Sequence, residues 1–402
     1  MAWTLFVKEC KELSKSITYF VFLICTVIFF ISQMGGVDLI EKPVQGKVNY
    51  GWKYSDDESV IMESSLEKLL YDLSINSFAT YPVGFYKEVT LDKDEKNKIY
   101  QILEKVTALT SNELKKAIEL YFPKMNSTDN GVNVRESLSF RDFCNAFNKI
   151  DVIIGGGSYY SEKRLYSNTR VDKTYDEALD EYESIIENDH ISGAYARIFS
   201  DYMGIILAIM PVFLAVTRVL RDKRAKAEQI IYSKRCSSVT VVLTRYLAII
   251  VMILIPVIIF SINPLLQCIY SANKNGITVD YFAFLKAIFG WILPTVLFTV
   301  SMGFLFTEIT NGPIAILIQG IWWMFSVFLA SSNLVGYVGL NLVPRFNTVG
   351  DYDVYKKIYP DLVMNRIYYV ALSVFLLTVS IIIYDLNRRG KWIQNDKIFK
   401  HS

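Results

Sequence analysis

Glu228, Ile230, Ile231 and Tyr232 stand together in the stretch AKAEQIIYSK, an acid among apolar side chains inside a strongly basic segment. Residues of these types at this spacing can bind. On a short helix lying along a membrane they would offer a carboxylate, two isoleucines and a phenol to a cytoplasmic partner. A solvated basic loop that only fixes topology accounts for the same residues equally well. Other candidates for chemistry are few. His190 and His401 are too far apart for a metal site, and none of Cys10, Cys25, Cys144, Cys236 and Cys268 falls in a CxxC pair. Neither a metal nor a disulfide framework is expected. Gly155-Gly156-Gly157-Ser158 has the glycines of a phosphate loop, but no Lys-Ser/Thr follows, so a flexible loop is expected. Lys286 and Glu308 fall near the two ends of one apolar run, where interfacial positions suit them. The interiors of the apolar runs read as nearly free of charge. An intramembrane enzyme would need facing acids, histidines or a nucleophile with a base at that depth, and these runs offer Ser and Thr without a base.

The elements that must position these residues are written in the hydropathy. The chain has 402 residues, 52% of them apolar, and a mean hydropathy of +0.28. The excess gathers in runs long enough to cross ~30 Å of hydrocarbon at 1.5 Å per residue. Six runs qualify, at 17–35, 197–220, 239–262, 281–307, 313–331 and 366–386. Between them lie a segment at 36–196, a basic loop at 221–238, a loop at 332–365 and a tail at 387–402. The first run, ITYFVFLICTVIFFISQM, is too long for a signal peptide and has no small-residue cleavage site, so a retained anchor is expected.

The net charge of +2 conceals a segregation. Residues 36–196 hold 28 acids and 19 bases, a local charge of −9; the rest holds 12 acids and 23 bases, +11. The bases adjoin apolar runs, which makes the lipid bilayer the partner rather than nucleic acid. Lys8, Lys11 and Lys15, then Arg221, Lys223, Arg224, Lys226, Lys234 and Arg235, then Arg388, Arg389, Lys391, Lys397 and Lys400 fall on one side if six spans exist. The positive-inside rule places that side, with both termini, in the cytoplasm of a cell membrane. Ahead of the first run, Trp3, Phe6, Val7, Cys10 and Leu13 recur at helical spacing, with Lys8, Glu9, Lys11, Glu12 and Lys15 on the other face. Residues 1–16 therefore read as an amphipathic interfacial helix anchored by Trp3, Phe6 and Val7. Residues 36–196 are enough for a domain with its own core. Helices are expected in LDKDEKNKIYQILEKVTALT, in SNELKKAIELYF with Ser111 and Glu113 capping, and in TYDEALDEYESIIENDH. Asn126-Ser127-Thr128 is a glycosylation sequon that matters only in a eukaryote. The expected architecture is an all-α polytopic membrane protein, six transmembrane helices plus a mainly helical extracytoplasmic domain.

The basic loop, RVLRDKRAKAEQIIYSKRCSSVTVVLTR, resembles the coupling segment of the ABC-2 class of transporter permeases. The matching positions are Glu228, the pair Ile230-Ile231, and Ser233 ahead of the break. Lys234 stands where proline is common, and Ala225-Lys226 where Gly-Thr is common. An amphipathic N-terminal helix and a large insertion between the first two spans are also similar to that family. The resemblance implies a non-enzymatic permease subunit of an exporter, coupled through Glu228, Ile230, Ile231, Tyr232 and Ser233 to a separate ABC ATPase that holds ATP and Mg²⁺. It also implies a second permease copy or paralogue as dimer partner. The absence of an internal ion relay agrees with an external motor, and the apolar lining favours an amphipathic or hydrophobic cargo such as a peptide, drug or lipid-like compound. A membrane-anchored sensor or accessory subunit, binding a ligand through the inserted domain, is the alternative.

Overall fold

The computed structural model describes residues 2–34, 36, 40–47, 49–55, 57–82, 86–121, 132–162, 164–330 and 334–390. The sequon at 126–128, His401 and the basic residues Lys391, Lys397 and Lys400 lie outside them. The chain is mainly helical and divides into two compact units, Pro43–Leu179 and the combination of Met1–Lys42 with Asp180–Ser402. It begins with α1 (Ala2–Ser14) and α2 (Ile17–Met34). The inserted unit carries β1 (Trp52–Tyr54), α3 (Glu58–Ile75), β2 (Phe78–Thr80), β3 (Lys87–Val89), α4 (Lys93–Thr107), α5 (Ser111–Tyr121), α6 (Phe140–Ile154) and β4 (Arg170–Asp172). After α7 (Tyr175–Glu187) come α8 (Ser192–Leu207), α9 (Met210–Arg224), α10 (Glu228–Tyr232), α11 (Ser238–Asn275), α12 (Ala283–Ala287) and α13 (Leu293–Thr310). The chain closes with α14 (Ile314–Leu329), β5 (Val335–Tyr337), β6 (Arg345–Phe346) and α15 (Tyr352–Arg388).

Among the described residues, four helical stretches are long and apolar enough to cross a membrane: α2, α11, Ala283–Thr310 and α15. The α8–α9 pair, bent by 40°, makes a fifth if it is one span. α14 is apolar but only 16 residues long. Their outer faces are apolar without interruption: Phe20, Ile24, Ile28 and Ile31 on α2, and Val251, Ile255, Ile259 and Ile262 on α11, are all exposed. Such surfaces suit lipid and not water.

The backbone departs from the expected runs for physical reasons. Residues 197–220 are not one straight span. Pro211 lacks an N–H and interrupts the ladder at Ala208–Ile209. The freed carbonyls are taken by side chains from neighbouring helices. Gln319 Nε2 donates to Ala208 O (2.6 Å), Thr299 Oγ1 to the same oxygen (3.3 Å), and Trp323 Nε1 to Ile205 O (2.8 Å). The run at 239–262 ends where hydropathy ends, yet α11 continues through Pro256 and Pro264 to a left-handed cap at Gly276. The run at 281–307 contains a single π turn at Ile288–Ile292, just before Pro294. The sixth run begins far earlier than 366, because α15 starts at Tyr352.

α15 thereby takes up the second part of the loop expected at 332–365. β5 and β6 pair antiparallel, and Leu342, Val343 and Phe346 around them are buried. Asn365 Nδ2 holds this segment by donating to Gly339 O (2.7 Å) and Asn341 O (2.9 Å). Arg345 is fixed by Asp201 of α8, with Nε–Oδ1 2.5 Å and Nη2–Oδ2 3.1 Å. Asp201 is 0% exposed. Arg197, Arg218, Arg245, Glu308 and Arg366 are also buried, so charge is buried in the helical unit near the ends of the expected runs, although their middles hold none.

The inserted unit has its own core around Leu69, Phe78, Ile99, Leu103, Phe143 and Phe147. α4 carries a capping box, Asp92 with Glu95. The cap of α5 is one residue earlier than expected: Thr110 and Glu113 exchange bonds, whereas the Ser111 hydroxyl donates to Glu104 Oε1 at 2.6 Å. Helices α3 and α6 and the two-stranded ribbons β1–β4 and β2–β3 had no counterpart in the sequence reading. The triglycine segment is an ordered turn. Gly155 caps α6 in the left-handed region, and a Cβ on Gly157 would lie 2.6 Å from Tyr81 O. Asp151 accepts from the Gly157 N–H (3.3 Å) and the Ser158 N–H (2.7 Å), so these amides are already engaged.

Candidate functional site

The residues singled out in the basic loop form α10, held at one end of the helical bundle. α9 ends in Arg221, Lys223 and Arg224, cations that suit a helix C-terminus. The chain reverses at Lys226, which takes φ +52, and Ala227 N–H returns to Asp222 O (3.0 Å) in the manner of a Schellman cap. α11 starts on Ser237, whose hydroxyl accepts from Thr240 N–H. Between these two stops lie residues 227–236, of which α10 takes five.

The short helix has two faces. Ile230 is 63% exposed and points away from the bundle, together with Gln229 and Ser233. Glu228, Ile231 and Tyr232 are half-buried and turn inward. They line a cleft of about 10 Å³, room for about one water, with Val219, Lys223 and Glu308. The five residues are thus not presented together: Ile230 and Ser233 face out, and Glu228 does not. Burial pushes the Tyr232 phenol up, and the carboxylates of Glu228 and Glu308 add to the effect. Tyr232 stacks edge-on against Tyr384 of α15 at 5.7 Å between ring centres.

Behind the cleft lies an ion cluster. Glu9 of α1 accepts two bonds from Arg218, at 2.5 Å from Nε and 2.6 Å from Nη2. Arg218 Nη1 also reaches Asp222 (3.3 Å), and Arg245 of α11 binds Asp222 through Nη2. Arg245 Nε is 3.7 Å from Glu9 Oε1, too far for a hydrogen bond but within ion-pair range. Two acids face two bases, so the cluster is neutral in sum. Lys223 bridges α9 to α13 through Glu308 (3.5 Å) and Asn311. Arg388 of α15 donates to the carbonyls of Tyr232 (3.0 Å), Lys234 (2.8 Å) and Cys236. α1, α9, α10, α11, α13 and α15 are thereby tied at one end, which also brings the described basic segments together. Chemically the arrangement is a fastening: charge-assisted bonds join the short helix and the amphipathic helix to the long ones.

On α1, Trp3 is 74% exposed and stacks on Phe6 at 5.5 Å, and Val7 is exposed beside them. On the opposite face Lys8, Lys11 and Lys15 are exposed, and the two acids are drawn into ion pairs. Glu9 is buried, Arg221 pairs with Glu12, and that contact pulls the Glu12 carboxyl below its usual range. Glu9 was legible in part, since it falls three residues after Phe6 and four before Leu13, on the edge of the apolar stripe. Arg388 carried no signal beyond its charge. Among the described residues, no three or more His, Cys, Asp or Glu gather as a metal site would require. No protein-family model, curated protein or solved structure matches this chain.

Proposed function

We propose that this chain is the membrane permease subunit of an ATP-driven exporter of the ABC-2 kind, with six spans and residues 36–196 as an extracytoplasmic domain. In this reading both termini and α10 are cytoplasmic, and a second copy or paralogue completes the pathway. A separate ATPase, holding ATP and Mg²⁺, docks on the face bearing Ile230. One observation carries the reading. A five-residue helix exposes a large apolar side chain while Arg388, Tyr232 and the Glu9 cluster fasten it to the long helices. A push on Ile230 would therefore reach α9, α11, α13 and α15 together. The clustering of the basic segments at that same end agrees with a cytoplasmic placement. The cargo is amphipathic or hydrophobic.

The test is a mild-detergent pull-down of the full chain from its native membrane, with identification of partners by mass spectrometry and an ATPase assay. A nucleotide-binding subunit should accompany the wild type and be lost from Ile230→Asp, with the variant still monodisperse. Glu228→Ala should retain the partner and lower its coupling. A chain that arrives alone, or with a kinase, refutes the exporter reading and favours a membrane-anchored sensor.

A further inference from the structure

At the bundle end where α15 and Ala283–Thr310 begin, a cavity of about 750 Å³ opens between these two helices and α8. One part of its wall is apolar and outward. Phe289 (50% exposed), Ile367 (57%) and Val370 line it, and they belong to the lipid-suited faces of two spanning helices. The other part is polar and aromatic, with Trp291, Tyr355, Tyr359, Asp280 and Lys286. Tyr359 to Ala371 covers roughly 18 Å of α15 at 1.5 Å per residue, close to the roughly 15 Å of hydrocarbon in one leaflet. Arg366 lies at the start of the apolar run, where head groups meet hydrocarbon.

The charges of the wall do not cancel. Asp189 pairs with Arg197, and Asp280 with Lys286 (2.7 Å). Arg366 is 5% exposed and has no acid partner among the described residues. Its N–H groups go to neutral oxygens, among them Trp291 O (3.1 Å), Thr295 Oγ1 (2.8 Å) and Leu342 O (3.3 Å). Two acids against three bases leave the cavity at +1. A buried cation without a counter-charge is costly, and an anion in the cavity would relieve it.

We infer that this cavity holds the head group and part of one chain of a membrane phospholipid carrying a single negative charge. Arg366 acts through its field, its N–H groups being already engaged. Lys286 and the tyrosine hydroxyls at the mouth are the direct donors to the phosphodiester. The acyl chain runs out past Phe289, Ile367 and Val370 into the bilayer, which is why a cavity smaller than a whole lipid suffices. The inference rests on the membrane character of the chain and not on the exporter reading, since lipid can be bound with or without an ATPase.

The probe is phosphatidylglycerol with brominated chains, compared with brominated phosphatidylcholine at equal fraction, around the full chain in phosphatidylcholine nanodiscs. Trp291 lies in the cavity wall, and the part of the tryptophan quenching that disappears in Trp291→Phe reports on the site. Phosphatidylglycerol should be preferred by roughly fivefold, the worth of one uncompensated cation near a membrane surface. Arg366→Gln should bring the ratio close to one. Gly290→Leu is the second variant. A Cβ there meets nothing within 4 Å, so the side chain enters the cavity without straining the helix, and it should remove the Trp291 signal. Equal quenching by the two lipids, or a preference that survives Gly290→Leu, overturns the inference even if Arg366→Gln does not fold.

Discussion

Replacing Glu9 with glutamine tests whether the buried cluster is the fastening described above. Glu9 accepts two bonds from Arg218 and lies 3.7 Å from Arg245 Nε. Glutamine has nearly the same shape, but only its oxygen can accept. Its amide nitrogen would face a guanidinium donor, so one bond is lost and the other weakened. The charges left behind are Arg218, Arg245 and Asp222, a sum of +1 among groups each less than a fifth exposed. Removing one partner of a buried pair costs about 3–5 kcal/mol, a large share of a total stability of about 5–15 kcal/mol. Arg218→Met in the same chain restores neutrality, because Asp222 keeps Arg245, and methionine fills much of the space of the arginine stem. The double variant should therefore be less destabilised than the sum of the single variants, with a coupling of about 2 kcal/mol. The assay is reversible unfolding of the four full-length proteins in mixed micelles, followed by tryptophan fluorescence. Additive costs, or a Glu9→Gln cost below about 0.5 kcal/mol, the scale of an unremarkable surface change, would refute the reasoning.

Gly303→Ala would put a Cβ 2.5 Å from Ala215 Cβ where α13 crosses α9, and overpacking should cost about 1–3 kcal/mol in the same assay. Gly320→Ala, with nothing within 4 Å, should be neutral or stabilising by up to about 1 kcal/mol. In the inserted unit, hydrogen bonds from the Ser111 hydroxyl to Glu104 and from the Thr110 N–H to Glu113 hold both carboxyls below their usual 4.5. The folded state then binds fewer protons, so this stability is complete above 4.5 and is lost as the pH falls through it. Amide protection in α4 and α5 of the full chain, corrected for intrinsic exchange, should drop from about pH 6 to about pH 3, and Glu104→Gln should flatten the profile. Arg388→Ala releases the carbonyls of Tyr232, Lys234 and Cys236, and limited trypsin digestion should cut after Lys234 or Arg235 well before it does in the wild type. Asp201→Asn should cost about 3–5 kcal/mol, whereas Asp201→Leu with Arg345→Met should be nearly neutral to stability.

Composition and period carried much of the fold. Four of the six apolar runs fall largely on the long helical stretches, α4, α5 and α7 lie where their patterns fall, and the basic loop contains the short helix. What could not be read follows from what hydropathy measures. It marks where lipid can be, not where backbone hydrogen bonding stops, so α11 and α15 outlast their apolar runs by more than three turns each. The bend at Ala208 had Pro211 as a sign, but its freed carbonyls are satisfied by donors from Gln319, Thr299 and Trp323, more than ninety residues away. Glu228 reads as a partner-facing acid because its neighbours are basic and apolar. Its inward turn is set by the reversal at Lys226 and by the packing of Tyr232 on Tyr384, neither of which has a local signature.

An ion relay needs a group that can change its charge state while the surroundings accommodate both states. Asp201 instead accepts two bonds from Arg345 and a third from the Phe346 N–H. Neutralising it would leave Arg345 buried without a counter-charge, so the pair favours one state and fixes the β5–β6 segment against α8. The Glu9 cluster does the same for α1 and α9. Among the described residues Arg366 is the exception, a buried cation held by neutral oxygens, and it faces a cavity lined on one side by apolar, exposed side chains. The pattern separates two kinds of buried charge in one helical unit. Pairs that sum to zero act as fastenings, and the unpaired cation marks where something negative from outside the chain completes the structure.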